Sequence, residues 1–268
     1  MALPLIYDDS NINQLIGDGR TVVAGGKLRL LSGKAKPPGH NSRVYSKVMK
    51  AEVATIPRNE WSARLKDMMR PGAETLTSCI QNWDSDDQGS HPTCWAAGTC
   101  AAFSTSRVRM KLPHVRISAM SVAVPISGGR SGGYEGDAVD LLTKQGGCSV
   151  DLWGYTDMTN RSNDPAVQAN RLLHKAIETY ECNGFDEFAT ACLLGFPCTI
   201  SYNWWSHVVM LCDLVEIEPG SFGFRIRNNW GDWGDKNKYG KSGYAIFREG
   251  KGTPSGGFAF RQVTASIK

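Results

Sequence analysis

The 268-residue chain has no apolar run near the roughly 18 residues that a membrane span requires. It opens Met1-Ala2-Leu3-Pro4-Leu5-Ile6-Tyr7 and runs directly into Asp8 and Asp9, without the basic start and long apolar core of a secretory leader. The expectation is a soluble protein made in a cytoplasm, with no membrane partner. Neither Cys-x-x-Cys nor His-Glu-x-x-His occurs, and the cysteine spacings do not suggest zinc, so no metal and no other cofactor is expected. The glycine-rich stretch Gly128-Gly129-Arg130-Ser131-Gly132-Gly133 lacks the Lys-Ser/Thr context of a phosphate loop. Internal repeats and low-complexity tracts are also missing, which argues against a solenoid.

What is present is a globular composition, 41% hydrophobic and 21% charged, in a chain long enough for one large domain or two small ones. The formal net charge of +4 is unevenly placed. Residues 1–70 carry 12 Lys/Arg against 6 Asp/Glu, while the remainder carries 18 against 20. The excess positive charge therefore lies near the N-terminus. That segment lacks interleaved aromatic residues, so nucleic acid is not the expected partner. Eight cysteines (79, 94, 100, 148, 182, 192, 198 and 212) suggest a disulfide scaffold. In a chain this long without a leader, buried free thiols are the better reading.

One thiol stands apart. Gln88-Gly89-Ser90-His91-Pro92-Thr93-Cys94-Trp95 places a cysteine where a helix is about to begin. Pro92 and Thr93 stop one element, Thr93 is suited to an N-cap, and the small residues from Cys94 to Phe103 read as a helix packed inside a domain. A cysteine in the first turn sits at the positive end of the helix dipole, which favours its thiolate. Catalysis also needs a proton partner. His207 opens the apolar run His207-Val208-Val209-Met210-Leu211, where a strand would hold an imidazole rigidly. Of the other histidines, His40 and His91 sit in turn-like contexts, His114 follows a proline, and His174 lies in a helical pattern. Next comes Arg227-Asn228-Asn229-Trp230-Gly231, with an amide able to orient the imidazole. In an extended strand only one of the two asparagines can face it.

The ordered set Gln88, Cys94-Trp95, His207 and Asn228-Asn229-Trp230-Gly231 resembles the papain-like cysteine peptidases over about residues 75–262. Gln88 lies six residues before Cys94, as in that family, and a Gly-Tyr pair follows as Gly243-Tyr244. His207 lies 113 residues after Cys94 and Asn228 134; the first is slightly short of the usual spacing of roughly 130–150, which implies a trimmed middle. The resemblance implies that Cys94 attacks a peptide or amide carbonyl and that His207 moves the proton. It selects Asn228 as the orienter through the Trp-Gly register, and makes Gln88 an oxyanion donor beside the Cys94 N–H. Trp230 would cover the bond between His207 and Asn228. Gly132 and Gly133, in Gly132-Gly133-Tyr134, would offer bare backbone to an extended protein or peptide substrate, and Trp230 is grouped with them at the substrate site. Two departures matter. His91 and Arg130 stand where secreted members carry a pair of bridged cysteines, so the fold should need no disulfide. The inhibitory pro-region pattern is matched at Glu60 and Arg64 alone, so a zymogen is not expected.

Residues 1–57 read as a basic, glycine-rich arm. The runs Thr21–Ala24 and Lys27–Leu31 suggest a hairpin, followed by an extended stretch with a turn at Pro37-Pro38-Gly39. Residues 58–74 hold a connecting amphipathic helix and linker, with Asn59 as the cap and Trp61, Leu65 and Met68 or Met69 on one face. Residues 75–268 form the main domain. Helices are expected over 135–145, 165–181 and 186–194, then strands over 198–202, 207–217, 223–227, 243–248 and 257–263. Helices first and strands later give an α+β fold. The resemblance implies two lobes, the helical one carrying Cys94 and the sheet carrying His207 and Asn228.

Two other readings compete with a peptidase. A cell-wall amidase with a Cys-His pair has no use for the Asn-x-Trp-Gly segment. A papain-fold component of a large assembly, with or without activity, would use residues 1–57 to dock on an acidic surface of another subunit. In general character the arm and the unsecreted domain resemble proteins of tailed bacteriophages, which implies a place in a virion. In that case deleting residues 1–57 should leave the domain and Cys94 intact.

Overall fold

The helix that begins at Cys94 organises the molecule. The computed structural model describes residues 4–15, 21–24, 27–30, 33–35, 54–237 and 239–264. Its helices are α1 (Arg58–Met68), α2 (Leu76–Ile80), α3 (Cys94–Arg109), α4 (Met120–Ser127), α5 (Glu135–Lys144), α6 (Pro165–Leu172) and α7 (Gly184–Leu193). The strands are β1 (Ile6–Tyr7), β2 (Thr21–Ala24), β3 (Lys27–Leu30), β4 (Ala176–Cys182), β5 (Cys198–Tyr202), β6 (His207–Glu218), β7 (Ser221–Arg227), β8 (Tyr244–Arg248) and β9 (Gly256–Val263). Seven of these form one sheet in the order β1-β8-β7-β6-β5-β9-β4, antiparallel except for the β1–β8 pair, while β2 and β3 pair as the expected hairpin. The fold is α+β.

The small residues of α3 let it lie directly on β6. A Cβ at Gly98 would stand 3.1 Å from the Val209 backbone, so a side chain there would push helix and strand apart. Along β6, side chains alternate between two cores, as strand geometry requires. Val208, Met210 and Cys212 join Cys94, Trp95 and Phe103 under α3 and α5. Val209, Leu211 and Leu214 join Trp61, Phe188 and Phe224 under α1 and α7. Burial on both faces explains the unbroken apolar run after His207.

Several expectations need correction. Thr93 precedes α3, but its side chain makes no capping bond and is buried. Pro57, not Asn59, precedes α1; the fixed proline φ suits a helix entrance, and Asn59 falls inside the first turn. On that helix Trp61 is buried and Leu65 half-buried, as expected, while Met69 is 75% exposed. The helix expected over 165–181 ends at Leu172, and Ala176–Cys182 is strand β4 instead. Of the residues at helical spacing, Leu173 and Ile177 are exposed while Ala176 is buried and Tyr180 packs on the core, so the spacing marked no single buried face. Pairing with β9, from Ala176↔Val263 to Cys182↔Gly257, decided the matter.

The N-terminal segment is partly built into the domain. Ile6 and Tyr7 pair with Ile246 and Phe247 on β8, and Ile12 and Leu15 enter the core beside Trp205. The docking surface expected on another subunit is, for residues 4–15, the chain's own sheet. Their removal would therefore open the core, contrary to the expectation that the domain would stand without them. The turn expected at Pro37-Pro38-Gly39 lies outside the described residues.

Candidate active site

His207 begins β6 next to a backbone turn whose last residue, Ser206, has φ +48°. Its imidazole is fully buried, and Nε2 lies 2.8 Å from Asn228 Oδ1. Nδ1 makes no hydrogen bond among the described residues. Two tryptophans enclose the ring, with centroids 4.5 Å away for Trp205 and 4.6 Å for Trp230. Water cannot compete for the His207–Asn228 bond in such surroundings. Burial also lowers the His207 pKa to about 4, against the opposing effect of the Asn228 bond, so with the cleft closed the ring is neutral and a weak base.

The two adjacent asparagines serve different partners. Asn228 holds His207, while Asn229 Nδ2 donates to the Cys94 carbonyl at 3.3 Å. Cys94 is the first residue of α3 and is buried. The loop before it explains the six-residue spacing from Gln88. The His91 carbonyl accepts both Thr93 N–H (2.9 Å) and Gln88 Nε2 (2.8 Å), which folds the glutamine side chain back toward the helix start. Gln88 N–H meets the Asn229 carbonyl at 3.0 Å, and Asp87 pairs with Trp230, so the loop is tied to the sheet lobe. One amide hydrogen of Gln88 is thus engaged with His91, leaving the second for another acceptor.

On the opposite wall, Gly133 rests on the Trp95 ring. A Cβ there would come within 2.4 Å of that ring, so the position must be glycine. Gly132 precedes it in the same loop, half-buried. Trp230, grouped above with the substrate contacts, is wholly buried against His207, Trp205 and Trp233; it acts on the imidazole, with no surface left for a substrate.

The cleft between these walls holds a piece of the chain's own N-terminal segment. Gly33 N–H donates to the Ser206 carbonyl at 2.7 Å, and Lys34 N–H donates to the Gly133 carbonyl at 2.9 Å. A Cβ at Gly33 would meet the His207 backbone at 3.0–3.1 Å. Residues 33–34 therefore bridge the two walls beside His207. Farther back, Trp205 Nε1 donates to the Leu15 carbonyl at 2.9 Å, so the segment also braces a tryptophan that encloses the imidazole.

No protein-family model and no curated protein sequence matches the chain. Solved structures do. Xylellain, a cysteine protease from Xylella fastidiosa, aligns at 20% identity and TM-score 0.60 over 91% of this chain and 98% of its own. The fold is that of the papain-like cysteine proteases. A structure from work on the mite allergens Blo t 1 and Der p 1 aligns at 19% identity and TM-score 0.56, over 86% of this chain and 80% of its own. Digestive procathepsin L 3 of Tenebrio molitor aligns at 14% and 0.57, over 68% and 67%.

On this papain-like scaffold, Asn228 contacts His207, and Gln88 lies in the loop before Cys94; the same contacts involve three residues that the sequence pattern did not single out. Asn229 was set aside because only one asparagine can face the histidine. Trp205 was visible as an aromatic two residues before His207, but nothing local tied it to the imidazole. Gly33 gave no signal at all. The eight cysteines form no disulfide. Among the described residues no group of three or more His, Cys, Asp or Glu could hold a metal, and no helix is long and apolar enough to cross a membrane.

Proposed function

We propose that the chain is a cysteine peptidase that cleaves peptide bonds through Cys94, His207, Asn228 and Gln88. The observation that carries this reading is the buried His207 ring, fixed at Nε2 by Asn228, with no hydrogen bond to Nδ1 among the described residues. In this scheme Nδ1 takes the Cys94 thiol proton and the sulfur attacks the carbonyl carbon. The Cys94 N–H and the second Gln88 amide hydrogen receive the oxyanion. His207 then gives its proton to the leaving amine, and water hydrolyses the thioester. Gly132 and Gly133 offer the backbone edge that substrate pairs with.

Residues 33–34 occupy that edge and keep the enzyme closed until they are displaced. This reading departs from the expectation that the chain is no zymogen, which rested on a side-chain pattern, whereas these contacts are made by backbone. The similarity to a procathepsin is consistent with a closed form. Residues 4–15 lie on the chain's own sheet and residues 33–34 in its cleft, which favours an enzyme with its own strap over the alternative of a phage-type attachment component. The reading is tested by incubating a peptide mixture with the wild type and with Cys94→Ala, before and after limited proteolysis of the N-terminal segment. Cys94-dependent cleavage is expected, rising after proteolysis. If the wild type cleaves nothing in either state, the reading fails.

A further inference from the structure

A second cavity lies apart from the cleft that residues 33–34 close. Its volume is about 320 Å³, at the lower end of the roughly 300–1,000 Å³ of small-molecule sites. Arg227, Asn228 and Asn229 line it at the end of β7, Gly98, Ala101 and Thr105 line it along α3, and the loop from Trp83 to Asp87 forms a third wall. The α3 residues stand about one, two and three turns along the helix from Cys94. Cys94, His207 and Gly133 do not line it, so it is no part of the substrate cleft. Asp84, on the third wall, has a side chain 81% exposed, and the cavity reaches the surface there.

Arg227 brings a cation to this cavity that no carboxylate answers among the described residues. Its guanidinium donates to the Trp83 carbonyl and lies 5.4 Å from the centroid of the Tyr244 ring, while Nε is buried without a hydrogen-bond partner. Asn228 holds a second donor in the same state. Its Oδ1 is taken by His207 and by the Asn229 N–H, whereas Nδ2 is buried and unpartnered. The nearby acids are engaged elsewhere: Asp86 accepts from Arg116, Asp84 pairs with Lys241 at 2.8 Å, and Asp87 Oδ1 accepts the Gly89 N–H at 2.9 Å. Two buried donors, one of them charged, are costly to leave unmatched. An anion from outside supplies what both lack.

We propose that this cavity binds a small organic carboxylate, with its charge on Arg227 and Asn228 and its apolar body against Ile80, Trp83 and Ala101. A carboxylate suits the place because its two oxygens can accept from two donors, one of them cationic. The bound anion would hold the Asn228 amide at Nδ2 while Oδ1 holds His207. It would thereby steady the group that orients the imidazole and speed reaction at Cys94. The site itself does not depend on the peptidase reading; its effect on Cys94 rests on that reading.

The test uses the full-length protein and benzoate, with benzamide, neutral and of similar shape, as the control. In titration calorimetry benzoate should bind with a Kd of about 1 mM or tighter, and benzamide at least about tenfold more weakly. Benzoate affinity should fall about tenfold in Arg227→Gln, which removes the charge, and in Ala101→Leu, which fills the cavity. The wild-type pair decides by itself if neither variant folds. Equal binding of benzoate and benzamide, no binding of either, or benzoate affinity that survives in a folded variant overturns the proposal. Saturating benzoate should also raise the rate of Cys94 labelling by iodoacetamide about twofold or more. An unchanged rate overturns the effect on Asn228 and leaves the binding site standing. If Cys94 is no more reactive than the other thiols with or without benzoate, the peptidase reading fails, and the calorimetry still decides the cavity.

Discussion

Asn229 binds the backbone of Cys94, its Nδ2 3.3 Å from the carbonyl oxygen, while its neighbour Asn228 binds His207. Successive residues of an extended chain face opposite ways, so the pair clamps both halves of the site from one strand end. Asn228→Ala leaves a buried ring nitrogen unpaired, at a cost of about 1–3 kcal/mol, and should slow Cys94 labelling by about tenfold or more. Asn229→Ala loses one long bond and should cost about 1 kcal/mol of stability with a smaller effect on labelling. Measured unfolding free energies and labelling rates in the opposite order would reverse the two roles.

The other thiols should be poor competitors for an alkylating reagent. Burial raises the pKa of Cys100, Cys192, Cys198 and Cys212, and Cys79 and Cys148 are raised as well. Mass-spectrometric mapping with limiting iodoacetamide at mildly acidic pH should find Cys94 modified first. Equal modification of Cys94 and Cys212 would contradict this. No disulfide links any of the eight, so added reductant should leave the melting temperature unchanged.

The strap can be loosened at a single atom. Gly33 lies so close to the His207 backbone that a branched side chain has no room. Gly33→Val should raise the rate of Cys94 labelling by about fivefold or more, with little change in melting temperature. Removal of residues 1–15 should act differently. It exposes the pocket of Ile12 and Leu15, worth about 1.5–3 kcal/mol for each side chain, and lowers the melting temperature. If Gly33→Val labels no faster than wild type, residues 33–34 do not close the site.

Acid should destabilise the fold within a defined window. Burial lowers His174 and His207 from 6.5 to about 4. As pH falls through 6.5 the unfolded chain takes up protons that the folded chain refuses until about 4. The stability from these neutral rings is therefore complete above 6.5 and is lost toward 4, by at most about 1.4 kcal/mol per pH unit for each ring. Glu135, raised from 4.5 to about 7, works in the opposite sense and offsets one ring between those values. Melting temperature should fall from pH 6.5 to pH 4.5, and fall more steeply in Glu135→Gln. A flat profile would mean that the histidines are not buried neutral.

Strand β5 and helices α3 and α5 were legible because each carries a periodic pattern that one dominant core satisfies. β4 was not, because the stretch from Leu172 to Tyr180 carries apolar residues at helical spacing whose exposure the chain alone does not reveal. Its partner β9 lies about 80 residues away. Cys94, His207 and Asn228 were singled out because the chemistry proposed for them needs those residue types in that order. Asn229 and Trp205 were passed over because their roles depend on which way a side chain points after folding.

The sequence by itself determined the helix that starts at Cys94, the apolar strand that starts at His207, and the α+β order of the elements. These follow from local periodicity and from residue chemistry, which are written along the chain. Tertiary structure alone decided that residues 33–34 close the cleft and that Leu15 braces Trp205. The first joins backbone groups on both sides, and the second meets the Trp205 indole N–H with a backbone carbonyl. Every residue but proline carries the same N–H and C=O, so no residue type marks which of them will meet.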